Sequence, residues 1–137
     1  MVPGKKPSSA GKELYDIALR TLKAGLATIR PDVISADVEG PALTILREAG
    51  MGDGFKMRFG YGVGIGYPPS WLEPLKITRT SDQRLEIGMT FVLHACLLSE
   101  AHSLGVLIGG TYVITDSGYE LISGAGDVEL ETAGMGY

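Results

Sequence analysis

The chain has 137 residues, 45% of them hydrophobic and 20% charged, which is one domain's worth of sequence with enough apolar content for a packed core. Sixteen acidic side chains against twelve basic ones give a net charge of -4. Without a basic stripe the chain has no electrostatic footprint for nucleic acid. The single cysteine, Cys96, excludes an internal disulfide and Cys-rich zinc sites within the chain. No apolar run approaches the roughly 18 residues of a membrane span, and the basic start lacks the apolar stretch of a secretory signal, so a reducing cytoplasm is the expected compartment.

Residues 1–10 mix Pro, Gly, Ser and Lys and read as a flexible tail. Leu14, Ile17, Ala18, Thr21, Leu22, Leu26 and Ile29 then recur at helical spacing with charged residues between them, which predicts an amphipathic helix ended by Arg30-Pro31. Ser35 is the expected N-cap of a second helix through Val38, Ala42, Ile45 and Leu46, closed by Gly50. Pro41 lies inside that pattern, so the helix either kinks there or begins near Glu39.

Twenty glycines are unusual for this length, and after Gly54 they set the period. Gly60, Gly62, Gly64 and Gly66 alternate with Tyr61, Val63, Ile65 and Tyr67. In an extended strand this puts the large residues on one face, expected to pack on the core, and leaves a bare face for a close neighbour. Pro68-Pro69 stops the strand, and a loop to about Glu86 follows. Met89–Leu98 and Val106–Thr115 read as strands, Asp116-Ser117-Gly118 as a turn, and Tyr119–Ile122 as a short returning strand. Residues 124–137 are rich in Gly and acidic residues and read as a second flexible tail. Two helices followed by four strands make the fold class α+β.

The glycines do not form a nucleotide site. Gly64 is followed by Ile65-Gly66-Tyr67-Pro68-Pro69, which cannot open the helix that a dinucleotide fingerprint needs, and no G-K-[ST] is present. His94 sits among Phe91, Val92, Leu93, Ala95, Cys96 and Leu97. It is either a buried, hydrogen-bonded strand histidine or a site residue with an imidazole available near neutral pH. His102, beside Glu100 and Ser103, reads as a solvated turn residue, and Cys96 as a small core residue. Trp71 and Glu73, after the Pro-Pro pair, either line a pocket or cover the core edge. Two histidines without a clear carboxylate partner make a weak metal signal.

Three segments occur in order: Arg58–Glu73 (RFGYGVGIGYPPSWLE), Leu85–Phe91 (LEIGMTF) and Thr111–Ile122 (TYVITDSGYELI). With Ile29-Arg30-Pro31 between the two helices and Glu48-Ala49-Gly50 closing the second, they resemble the C-terminal half of the pita-bread superfamily. That superfamily comprises methionine aminopeptidase, aminopeptidase P, prolidase, creatinase and ectoine hydrolase. The resemblance covers about residues 12–123, with the Gly-Tyr-Pro-Pro-x-Trp wording nearest the ectoine hydrolase-like and creatinase-like branch. It implies half a pita-bread fold over residues 11–123, with two helices packed on a small, mostly antiparallel sheet.

The resemblance also implies where metal ligands would stand. The family's histidine in G-H-G-I-G falls at Val63, its glutamate after G-M-x-F-x-x at His94, and its second glutamate at Gly109-Gly110. Its two aspartates come from a preceding half that this sequence does not match. Valine and glycine offer no side-chain donor, so no dinuclear metal site and no cofactor are expected. A half domain would leave apolar surface bare. At about 25 cal/mol per Å², roughly 600 Å² represents about 15 kcal/mol gross, so a homodimer or a partner chain is expected to cover it. The first reading is therefore a peptidase-like or creatinase-like hydrolase-family domain without its metal ligands, partial or degenerate, that dimerises or docks on a partner. The alternative is a metal-independent hydrolase of a C–N bond in a small substrate. There His94 would be the acid/base, Glu73 would orient a cationic group, and Tyr61, Tyr67 and Trp71 would line the pocket.

Overall fold

A computed structural model describes residues 6–52, 55–66, 69–70 and 73–123. Two helices, α1 (Ser9–Leu26) and α2 (Ser35–Glu48), precede five strands: β1 (Gly60–Gly62), β2 (Lys76–Ile77), β3 (Thr90–Ser99), β4 (Leu104–Thr115) and β5 (Gly118–Ser123). The strands form one antiparallel sheet in the order β2-β1-β3-β4-β5. β2 falls within the stretch expected to be loop. Among the described residues no helix is long and apolar enough to cross a membrane.

α1 opens at Ser9, inside the segment read as tail, because Ser8 accepts a hydrogen bond from the Gly11 amide at 3.1 Å and satisfies one of the free N–H groups of the first turn. Leu14, Ile17, Ala18, Leu22 and Leu26 are buried at the predicted spacing. The helix stops at Leu26, short of Arg30-Pro31. Thr28 and Ile29 donate three residues back to Gly25 and Leu26, both at 3.0 Å, and this tightened turn still buries Ile29.

α2 departs from expectation at its start. Ile34 is the cap residue and makes no side-chain cap bond. Ser35, the expected cap, is the first helical residue, and its buried hydroxyl reaches the Ser81 hydroxyl at 2.8 Å. The chain around Ser81 explains the change. Residues 81–85 run antiparallel to 32–36: Ser35 N donates to Gln83 O at 2.8 Å, and Asp32 N and Leu85 N donate to Leu85 O and Val33 O, both at 2.9 Å. The Arg79 amide adds a bond to the buried carboxylate of Glu39. The Ser35 N bond, with Ala36 N donating to Ser81 O at 3.2 Å, satisfies the first amides of α2 in place of a side-chain cap, and the other bonds tie this connection to the helix. Pro41 lies inside α2 without ending it; its ring removes one amide that would have bonded to the carbonyl of Asp37.

α1 packs on α2 and on β3 and β4. The core lies between these layers, with Phe91, Leu93, Ala95 and Leu97 of β3 and Tyr112 and Ile114 of β4 turned toward the helices. At Gly25 helix α1 lies close against the residue that precedes β1. A Cβ there would stand 2.4 Å from Cε1 of Phe59, which is fully buried and stacked on Phe55 at 4.5 Å between ring centroids.

The glycine-alternating segment is extended only over Gly60–Gly62, and its faces are the reverse of those expected. The glycines face inward. A Cβ on Gly60 would lie 2.8 Å from Leu93 Cδ1, and one on Gly62 2.9 Å from Leu75 Cβ. Leu93, Ile77 and Leu75 already fill the core side of β1, so the large side chain, Tyr61, turns to the far face. Ile65, read as part of the packing face, is 100% exposed.

Candidate functional site on the open sheet face

The sheet has one face on the helices and one without a layer among the described elements. Register decides what the second face carries. Tyr61 pairs with Val92, Val92 with Thr111, His94 with Gly109, Cys96 with Leu107 and Leu98 with Gly105. Because directly opposed residues point the same way, these side chains form one patch. His94 is at its centre and is 7% exposed. Its backbone amide donates to Phe59 O at 2.9 Å, and its ring meets Tyr61 edge-on at 5.7 Å. Its Nδ1 is buried without a hydrogen-bond partner. An unpaired buried nitrogen costs about 1–3 kcal/mol.

Burial pushes the His94 imidazole below its ordinary pKa of 6.5. The unfolded chain then binds a proton between the ordinary and the lowered value while the folded chain does not. Stability is therefore complete above about pH 6.5 and falls as the pH drops toward the lowered value, with a slope of at most about 1.4 kcal/mol per pH unit from this group. Urea unfolding from pH 7.5 down to 5 should show this loss, and His94→Gln should remove that part of the slope. An identical pH profile in the variant would mean the ring is not held neutral by burial.

Glu73 is not part of this patch. Its amide donates to Gly62 O at 3.2 Å, and its carboxylate accepts from the Gly66 amide at 2.8 Å. Its Cβ lies where a side chain on Gly62 would point, on the side of β1 opposite Tyr61. The carboxylate therefore closes the loop that leaves β1 instead of facing His94. Of the five candidate site residues, the fold brings Tyr61 and His94 together and places Glu73 elsewhere. Tyr67 and Trp71 lie outside the described residues. Cys96 stands half-buried on the open face, two positions from His94, and not in the core. His102 sits exposed on the single 3-10 turn Glu100–His102 that joins β3 to β4.

The positions that the resemblance marks for metal ligands also acquire geometry. His94 and Gly109 are direct cross-strand partners. A Cβ at Gly109 would lie 2.3 Å from Leu93 O and 2.5 Å from His94 Cβ, closer than a side chain can be seated. Val63 donates its amide to Thr90 O at 3.0 Å and accepts from the Thr90 hydroxyl, so it is held beside β3 by its backbone. Among the described residues no group of three or more His, Cys, Asp or Glu converges. Sequence reasoning missed the His94–Gly109 pairing. Its signal was the Glu100–Ser103 connection, where Ser103 takes a left-handed backbone (φ 49°) and fixes the hairpin register.

An antiparallel sheet backed by two helices, with its histidine on the bare side, is a partial pita-bread fold, and solved structures agree. Prolidase from Pyrococcus furiosus superposes with a TM-score of 0.80 at 25% identity over 92% of this chain and 36% of its own. X-Pro aminopeptidase from Thermotoga maritima gives 0.79 at 23% identity, over 90% of this chain and 34% of its own, which is a likeness of fold. The profile of metallopeptidase family M24 matches residues 1–116, and the chain belongs to that family. An uncharacterized peptidase from Staphylococcus epidermidis is 29% identical over 117 residues, 85% of this chain and 32% of that protein. The chain thus spans about a third of the length of the curated relatives it matches.

Proposed function

We propose that this is a family M24 domain that binds rather than hydrolyses: it lacks a catalytic pair of divalent ions and associates through its open sheet face with a second copy or a partner chain. The observation that carries this reading is the pairing of His94 with Gly109. Where the family resemblance calls for two glutamates, at His94 and at Gly109-Gly110, this chain has one imidazole on β3 and, beside it on β4, two glycines whose neighbours crowd any added side chain. With valine at the third position, the residues present do not fit two bridged ions, each of which needs several converging oxygen or nitrogen donors. Association is supported by the same face. Leu98 and Leu107 are 48% and 61% exposed there, around a histidine that is itself buried.

Two measurements test the reading. Hydrolysis of Xaa-Pro dipeptides, assayed with and without added Mn²⁺ or Co²⁺, should show no metal-stimulated turnover; a metal-dependent rate would overturn it. In sedimentation velocity the chain, alone or with its partner, should associate, and Leu107→Asp should weaken that association at least tenfold without changing the unfolding midpoint. A monomer at all concentrations, with no partner that distinguishes the wild type from Leu107→Asp, would also overturn it.

A further inference from the structure

We propose that residues 124–130 continue β5 along the free half of β4 and complete the sheet at that edge. β4 is 12 residues long and β5 is 6. β3 pairs with β4 from Leu104 to Val113, whereas β5 reaches it only over Thr111–Thr115. Among the described strands, none lies along the outer edge of Leu104–Gly110. The direction of the backbone groups there follows from their neighbours. His94 N donates away from β4, to Phe59 O, and Ile114 N donates toward β3, to Met89 O, so the even-numbered residues of β4 bond to β3. Gly105, Leu107 and Gly109 therefore turn their N–H and C=O groups outward, an edge that another strand can take up. Leu104–Gly110 carries none of the charged side chains or prolines that keep strands away.

The chain's own continuation fits this edge. Fourteen residues follow Ser123 in this 137-residue sequence. Ser123 is still against β4: it pairs with Thr111, and a Cβ on Gly110 would lie 2.9 Å from its carbonyl oxygen. Carrying that register forward sets Ala125 opposite Gly109, Asp127 opposite Leu107, Val128 opposite Val106, Glu129 opposite Gly105 and Leu130 opposite Leu104. Asp127-Val128-Glu129-Leu130 alternates with the period of a strand, and in the right phase. Val128 and Leu130 fall on the helix side, beside Val106 and Leu104, which are only partly buried against the core. Asp127 and Glu129 fall on the open side, in water. A register one residue off would turn both carboxylates inward and both apolar side chains outward. The segment occupies the edge of the sheet and not its open face, so association through that face can fail while this pairing stands.

Amide hydrogen exchange of the full chain, read residue by residue by NMR, tests the pairing. Gly105, Leu107 and Gly109 should exchange at least about tenfold more slowly than exposed peptide, at every protein concentration. Val128→Asp with Leu130→Asp should return these three amides to the exposed rate. Val106 and Ile108, bonded to β3, should keep their protection in that variant and so report an intact fold. Exposed-peptide rates at Gly105, Leu107 and Gly109 in the wild type would overturn the proposal. So would protection that survives the double variant or vanishes on dilution, which would put a second copy on the edge instead. The register has its own check. Val106 and Val128 form a non-hydrogen-bonded pair, with Cα atoms about 4.5 Å apart, inside the range a disulfide spans. In a Cys96→Ser background, Val106→Cys with Val128→Cys should cross-link at least about tenfold faster than Val106→Cys with Asp127→Cys, whose side chains point to opposite faces. Equal rates would overturn the register.

Discussion

Gly109→Ala is expected to lower stability by about 3 kcal/mol or more. Alanine normally improves a strand position over glycine by about 0.5–1 kcal/mol, so propensity alone predicts the opposite sign. Packing decides here. The added methyl would lie 2.3 Å from Leu93 O and 2.5 Å from His94 Cβ, and both are fixed by the β3–β4 ladder. Relieving that contact means breaking ladder bonds, at the upper end of the 1–3 kcal/mol typical of overpacking. Gly105→Ala is the control. A Cβ there would meet the tip of Leu98 at 3.0 Å, a flexible and half-exposed side chain, so the cost should stay within about 1 kcal/mol. Urea midpoints of the two variants at constant m-value measure the difference; equal midpoints would show that β4 yields at Gly109. Gly109→Glu should be at least as damaging as Gly109→Ala, so this position does not accept a carboxylate by a single change.

Phe91→Ala should cost about 3–5 kcal/mol, the range for deleting a buried aromatic side chain that its surroundings cannot fill. Phe91 is fully buried, lies opposite Gly62 and Tyr112, and stacks on the Tyr112 ring at 5.5 Å. Neither neighbour can collapse into the gap, because Gly62 has no side chain and Tyr112 is tied to the β4–β5 pairing. Leu107→Ala, on the other face of the same hairpin, removes a side chain that is mostly in water and should change stability by less than about 1 kcal/mol. A Phe91→Ala loss as small as that of Leu107→Ala would mean that the helix-facing side is not the core.

The helical faces were legible because each repeats at helical spacing, and the two long strands because each is an apolar run rich in β-branched or aromatic residues. The helix ends were less so. Ser35 looks like a cap by composition, yet its hydroxyl goes to Ser81, which is 46 residues away and carries no local signal. The inverted faces of β1 have the same origin: alternation of glycine with large residues states that two faces differ, and only the packing of Leu75, Ile77 and Leu93 settles which one is inside. At the site, residue types were readable and juxtaposition was not. His94 and Tyr61 share a face through strand pairing, whereas Glu73, grouped with them by the loop motif, is held by the Gly66 amide on the other side of β1.

The strict in-and-out alternation of β3 has an evolutionary consequence. Phe91, Leu93, Ala95 and Leu97 secure the helices, while Val92, His94, Cys96 and Leu98 meet whatever lies beyond the sheet. Neighbouring codons thus serve separate masters. A lineage can erode one set of side chains while selection for folding guards the other, and a scaffold inherited from hydrolases can drift toward new employment without passing through an unfolded ancestor.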